Sequence, residues 1–143
     1  MNERFIKYYM DIARRTAQMS YAKRLKVGAI LVKNDMIISH SWNGTPRGWD
    51  NNCEDIIYEN EIEILKTKSC VTHAEEAMLM KVASSDISSY NGIVFCTHSC
   101  CMNCAKLLYG AKITSFYYEN EYKSNEGIKF LNDCGINIYK IGE

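Results

Sequence analysis

Thr72-His73-Ala74-Glu75-Glu76-Ala77-Met78-Leu79-Met80-Lys81-Val82, followed downstream by Cys100-Cys101-Met102-Asn103-Cys104, is the stretch on which the reading of this chain turns. Ala74, Ala77, Met78, Met80 and Lys81 are good helix formers, and Thr72 is the expected N-cap. A helix is therefore predicted over 72–82, with His73 and Glu75 at its start. A second helix is predicted from Cys101 to about Tyr109, ending at Gly110. Its Cys-x-x-Cys spacing puts two sulfurs on one face of a first turn, where a single metal can hold both. Helix N-termini favour thiolate over thiol through free N–H groups and partial positive charge. His73, Cys101 and Cys104 make three ligands for a tetrahedral Zn²⁺, leaving a fourth position for water. Glu75, not itself a ligand, is placed to shuttle that water's protons. His-x-Glu alone is common, and Cys-x-x-Cys alone, though more specific, also serves redox and structural zinc sites. In this order, each at a predicted helix start, they indicate catalytic zinc.

Working outward, residues 2–19 place Phe5, Ile6, Tyr9, Ile12, Ala13 and Met19 at spacings near three and four, one face of an amphipathic helix. Val27 to Val32 is a short apolar run, read as a strand that turns at Lys33-Asn34-Asp35 and returns over Met36 to Trp42. Asn43-Gly44-Thr45-Pro46-Arg47-Gly48 is a loop. The polar, acidic segment 51–70 has no firm assignment, with a short helix expected over Asp55 to Leu65. Strands follow over Ile93–Thr97, Ile113–Tyr118 and Ile136–Ile141, the last two separated by a helix over Glu126–Asn132 that Cys134-Gly135 closes. The order α-β-β-α-β-α-β-α-β implies an α/β fold, a mixed five-stranded sheet flanked by helices. No linker, repeat or low-complexity segment divides it, so residues 1–143 are expected to form a single domain.

Lys plus Arg and Asp plus Glu are equal, at 17 each. No global basic field exists to hold a long nucleic acid, whereas a mononucleotide needs none. The charge is uneven, however. Arg4, Lys7, Arg14, Arg15, Lys23, Arg24 and Lys26 crowd the first 26 residues, and this basic start is either a phosphate site or a solvated helix face. Seven cysteines in a chain without a signal-peptide pattern or membrane span point to a reducing compartment, the cytoplasm (that of the host for a viral protein). There they read as metal ligands or small buried hydrophobes.

The His-x-Glu and Cys-x-x-Cys pair, with Ser41-Trp42-Asn43-Gly44-Thr45-Pro46-Arg47-Gly48 and Gly127 to Ile138, resembles the deoxycytidylate (dCMP) deaminases of the zinc-dependent cytidine/deoxycytidylate deaminase superfamily. The resemblance runs from about Phe5 to Ile141. It implies a three-layer αβα sandwich, Zn²⁺ as cofactor, and hydrolytic deamination of dCMP to dUMP and ammonia, feeding thymidylate synthesis. It assigns zinc to His73, Cys101 and Cys104 and acid–base work to Glu75. The implied substrate contacts are Asn43 on the deoxyribose and Ser20, Arg24 and Lys26 at the phosphate, with Ala74, Thr97, Tyr117 and Tyr122 also bordering the substrate. Tyr117 and Tyr122 each have the alternative of packing on the sheet. A homo-oligomer and control by dCTP and dTTP are further implications.

The chain departs from the family at several points. Cys100 replaces the proline of Pro-Cys-x-x-Cys and offers a competing thiol. Ala77 stands where the family has Asn, Ala22 where it has Cys, and His98 at a usually apolar position. A second, structural zinc would have to draw on Cys53, Cys70 and His40. The alternatives are a deaminase of another cytosine or modified-cytosine nucleotide or nucleoside, and a catalytically dead zinc- and nucleotide-binding module, which would have no use for Glu75.

Overall fold

The computed structural model describes residues 1–142. Its centre is β1 (Gly28–Lys33), whose first five residues are all buried. That is the signature of a strand covered on both faces, and it explains the unbroken apolar run. β2 (Met36–Trp42) returns beside it through a two-residue turn, with Asn34 and Asp35 both in the left-handed region. β5 (Ile93–His98) pairs antiparallel on the other side of β1. β6 (Ser115–Asn120) and β7 (Asn137–Lys140) then add in parallel, giving the order β2-β1-β5-β6-β7.

The helices lie on both faces. α1 (Glu3–Ala17) buries Tyr9, Met10 and Ala13 against Ile30, Val32, Phe95 and Tyr117. Its approach is so close that a Cβ on Gly28 would lie 2.2 Å from the Ala13 carbonyl oxygen, which requires glycine at the head of β1. α2 (Ala74–Ala83), α3 (Met102–Gly110) and α4 (Glu126–Asp133) cover the opposite face. Met78, Leu108 and Leu131, one from each, pack there with Leu31, Val94 and Phe116. The fold is therefore the three-layer αβα arrangement that the sequence implied, with the predicted five-stranded mixed sheet.

Two expectations are corrected. The segment expected to hold a helix over Asp55–Leu65 is a second, two-stranded sheet: β3 (Glu54–Glu59) paired with β4 (Ile62–Thr67). Ile56, Ile57, Tyr58, Ile62 and Ile64 are β-branched or aromatic, and such side chains favour a pleated surface. The turn places Asn60 and Glu61 in the left-handed region, and without a glycine it carried no turn signal. The second correction concerns α2. Its N-cap is His73, not Thr72, because Thr72 is held in an isolated bridge with Gly44.

Among the described residues, no helix is long and apolar enough to cross a membrane.

Candidate active site

The sequence folds so that two metal-ligating residues become helix N-caps. His73 caps α2 in an extended conformation, and its backbone N–H donates to Glu76 Oε1 at 2.8 Å. Cys101 caps α3, and its Sγ accepts from the Cys104 N–H at 3.4 Å. The two helix starts converge. His73 Nδ1 lies 3.4 Å from Cys101 Sγ and 3.4 Å from Cys104 Sγ. All three ligand atoms fall within 4.8 Å of one another. Tetrahedral zinc with ordinary Zn–N and Zn–S bonds would separate a nitrogen and a sulfur ligand by about 3.6 Å. One imidazole and two thiols at this spacing therefore fit Zn²⁺.

The electrostatics suit the same ion. The Cys101 thiol is lowered to about 4, chiefly by the hydrogen bond from the Cys104 thiol, with His73 adding to the effect and burial opposing it. His73 is raised to about 9, chiefly by its contact with Cys101. Cys104 is pushed up, by its bond to Cys101 and by burial. The cluster thus holds one thiolate ready, and a dication would displace the protons that remain on Cys104 and on His73 Nδ1. Glu75, on the first turn of α2, is only 4% exposed. Burial raises its carboxyl to about 7, which suits a group that must both take and give a proton near neutrality.

Cys100 is not part of the group whose ligand atoms lie within 4.8 Å of one another. It is fully buried in the core between the sheet and α2–α4, and burial pushes its thiol up. The Cys100–Cys101 turn is braced from behind by α4: a Cβ on Gly127 would lie 2.3 Å from the Cys100 carbonyl oxygen. A second metal site finds no such cluster among the described residues. Cys53 is buried with Ala22 and Val71, and His40 lies beside Trp42 on β2.

An open cleft leads to Glu75. Its lining includes His73, Glu75 and Cys101 at the metal end and Arg24, Asn43, Ala74 and Tyr122 from the predicted contacts. The other predicted contacts lie elsewhere. Ser20 is buried and donates to the Asn43 carbonyl at 2.7 Å, so it fixes the loop rather than facing the cleft. Lys26 is exposed and outside the lining. Thr97 is buried beside β1, where its hydroxyl accepts from the Gly28 N–H. Tyr117 is on the α1 face, stacked between Phe95 and Tyr139 with ring centroids 4.6 Å apart on each side. The strand's alternation sends it away from the cleft, so its sheet-packing alternative holds.

Asn43 acts first on the protein. Its Oδ1 accepts from the Val27 N–H at 2.8 Å and its Nδ2 donates to the Leu25 carbonyl at 2.7 Å, which fixes the segment before β1. One N–H and one oxygen lone pair remain for a ligand. Glu54, at the start of β3, secures the same segment: its Oε2 accepts from the backbone N–H groups of Lys23 and Arg24 at 2.9 and 3.0 Å. Thr67 on β4 accepts from the Arg24 guanidinium at 3.4 Å. The hairpin therefore builds one cleft wall. Thr67 carried no motif, and only the tertiary structure brings it in, whereas Val71 lies two residues before His73. His98 also lines the cleft.

Comparison with known proteins agrees with this geometry. A family model described as the cytidine and deoxycytidylate deaminase zinc-binding region matches residues 3–120. The chain is 39% identical to a dCMP deaminase from cyanophage S-TIM5, solved in complex with dCMP and dUMP, with 99% of each chain covered and a TM-score of 0.89. It is 29% identical to the deoxycytidylate deaminase of Saccharomyces cerevisiae over 92% of this chain and 43% of the yeast protein. ComE operon protein 2 of Bacillus subtilis is 27% identical over 94% of this chain and 69% of its own length. The chain thus spans less than half of the yeast relative it matches.

Proposed function

Because the chain belongs to the cytidine and deoxycytidylate deaminase zinc-binding family, we propose that it hydrolyses dCMP to dUMP and ammonia. The observation that carries this reading is a buried carboxylate, Glu75, beside the His73–Cys101–Cys104 cluster at the end of an open cleft. His73 Nδ1, Cys101 Sγ and Cys104 Sγ would hold zinc, which when bound would lower the pKa of a water from about 15.7 towards about 7. Glu75 takes a proton from the attacking water as its oxygen bonds C4 of the cytosine ring, and gives that proton to the ring nitrogen N3. It then carries the second proton from the C4 hydroxyl to the exocyclic nitrogen. The C4–N bond breaks, ammonia leaves and the ring becomes uracil.

Apolar walls from Leu25, Val27, Val71 and Ala74 exclude water from the base. Asn43 offers its remaining N–H and lone pair to the deoxyribose. Arg24 and Tyr122 face the sugar and phosphate from the cleft lining. The same reading extends to residues 1–143 as one domain, working as a cytoplasmic homo-oligomer with dCTP and dTTP as effectors. Sedimentation of the purified protein and titration of its activity with both triphosphates test the last two points, and a monomer with a flat response refutes them.

Ammonia release from dCMP, CMP, dCTP and deoxycytidine tests the substrate. Turnover concentrated on dCMP is expected; a preference for any of the other three refutes the assignment.

A further inference from the structure

His98 stands at the end of β5, three residues before Cys101, and lines the same cleft. Its ring is oriented by a relay that begins in the neighbouring strand. The Gly28 N–H donates to Thr97 Oγ1 at 3.2 Å, and Thr97 Oγ1 lies 2.8 Å from His98 Nδ1. A hydroxyl that already accepts from Gly28 has its own proton to place, and Nδ1 is the acceptor beside it. The relay is complete when the Thr97 hydroxyl donates to Nδ1, which puts the proton of a neutral ring on Nε2. Burial holds His98 below the ordinary histidine range, against the opposing pull of Glu119, so the neutral form prevails at pH 7. The result is a neutral N–H donor of fixed direction.

The cleft is graded in depth. Glu75 is 4% exposed at its floor, whereas Tyr122 is half-buried and Arg24 exposed at its rim. A nucleotide whose amine meets Glu75 directs its sugar and phosphate towards that rim. His98 belongs to the rim wall: it pairs in register with Asn120, and the Tyr122 N–H donates to Ser99 Oγ at 2.7 Å, joining the two chain segments. Arg24 supplies charge, and His98 supplies a directed donor without charge.

We infer that His98 is a specificity-determining residue whose Nε2–H donates to an oxygen of the substrate's phosphate monoester, with Thr97 as the positioning residue that fixes its tautomer. The inference rests on the nucleotide orientation proposed above, in which the amine meets Glu75. It gives the departure from an apolar residue at position 98 a role that a packing side chain does not have.

Calorimetric binding of dUMP and of deoxyuridine to zinc-loaded protein tests it, since the two ligands differ by the phosphate alone. His98→Leu should weaken dUMP binding about tenfold or more and leave deoxyuridine binding within about twofold. His98→Gln, which restores an N–H near the Nε2 position, should recover most of the loss. His98→Asn, which keeps an acceptor for Thr97 but is too short to replace Nε2, should behave like Leu and serves if the Leu variant fails to fold. Equal weakening of both ligands, unchanged dUMP binding, or a wild-type protein that does not prefer dUMP would each overturn the inference. Binding is read without turnover, so absence of ammonia release from dCMP would refute the proposed reaction separately.

Discussion

His73 and Cys101 are the N-cap residues of α2 and α3, and His73 Nδ1 lies 3.4 Å from Cys101 Sγ. One metal ion at that point ties together the starts of two helices that pack on the same sheet face. Removing zinc with a chelator should therefore cost stability as well as activity. For a site filled at about a thousand times its Kd the loss is about 4 kcal/mol, or roughly 10 °C in Tm for a chain of this size. Calorimetric melting with and without chelator measures it, and an unchanged Tm would mean that the helices do not depend on the metal.

Gly127 gives an unusual sign for a glycine in a helix. Replacing such a glycine by alanine ordinarily stabilises by about 0.5–1 kcal/mol. At this position the new Cβ would meet the carbonyl oxygens of Cys100 and Cys101 at 2.3 and 2.8 Å. Gly127→Ala should instead destabilise by about 1–3 kcal/mol and loosen zinc, because the displaced turn carries a ligand. Denaturant unfolding and zinc retention on dialysis check both effects.

The pH dependence of the zinc-free protein reports on Glu75. Burial raises its folded-state carboxyl from 4.5 to about 7. Stability from the protonated form is complete below the unfolded pKa and is lost as pH rises through about 7. Glu75→Gln cannot ionise, so it should exceed wild type by about 1–3 kcal/mol at pH 8 and by under about 1 kcal/mol at pH 5. Equal stability curves at both pH values would show that burial does not penalise this carboxylate.

Glu54 links the hairpin to the cleft through the N–H groups of Lys23 and Arg24. Its other oxygen, Oε1, is buried without a hydrogen-bond partner. Glu54→Ala leaves both N–H groups unsatisfied and should cost about 2–4 kcal/mol, while raising KM for dCMP more than it lowers kcat. Tyr117→Phe, on the far face of the sheet, should leave KM within about twofold. Steady-state kinetics on the two variants separate a residue that shapes the cleft from one that packs the core.

The five-stranded sheet and all four helices were legible in the sequence because their patterns are periodic and their ends are marked. β1 is an unbroken apolar run, Gly110 is the last residue of α3, and Gly135 follows α4. The metal cluster was legible because its ligands fall within two short motifs. The β3–β4 hairpin was not: its turn uses Asn60 and Glu61 where a glycine would have announced it, and its alternating acids also suit a helix's solvent face. Thr67 went unseen with it. Tyr117, Ser20 and Thr97 were read as contacts because they lie near the right motifs in sequence. Which face a strand residue presents depends on register, which spacing from a motif does not give.

The central claim is that Glu75 moves protons and does not hold the metal. The most direct test measures zinc content and dCMP turnover together in wild type and Glu75→Gln. The expected result is one zinc per chain in both proteins, with kcat in the variant reduced by at least about 10²-fold. Loss of zinc in the variant, or turnover near the wild-type rate, would contradict that claim.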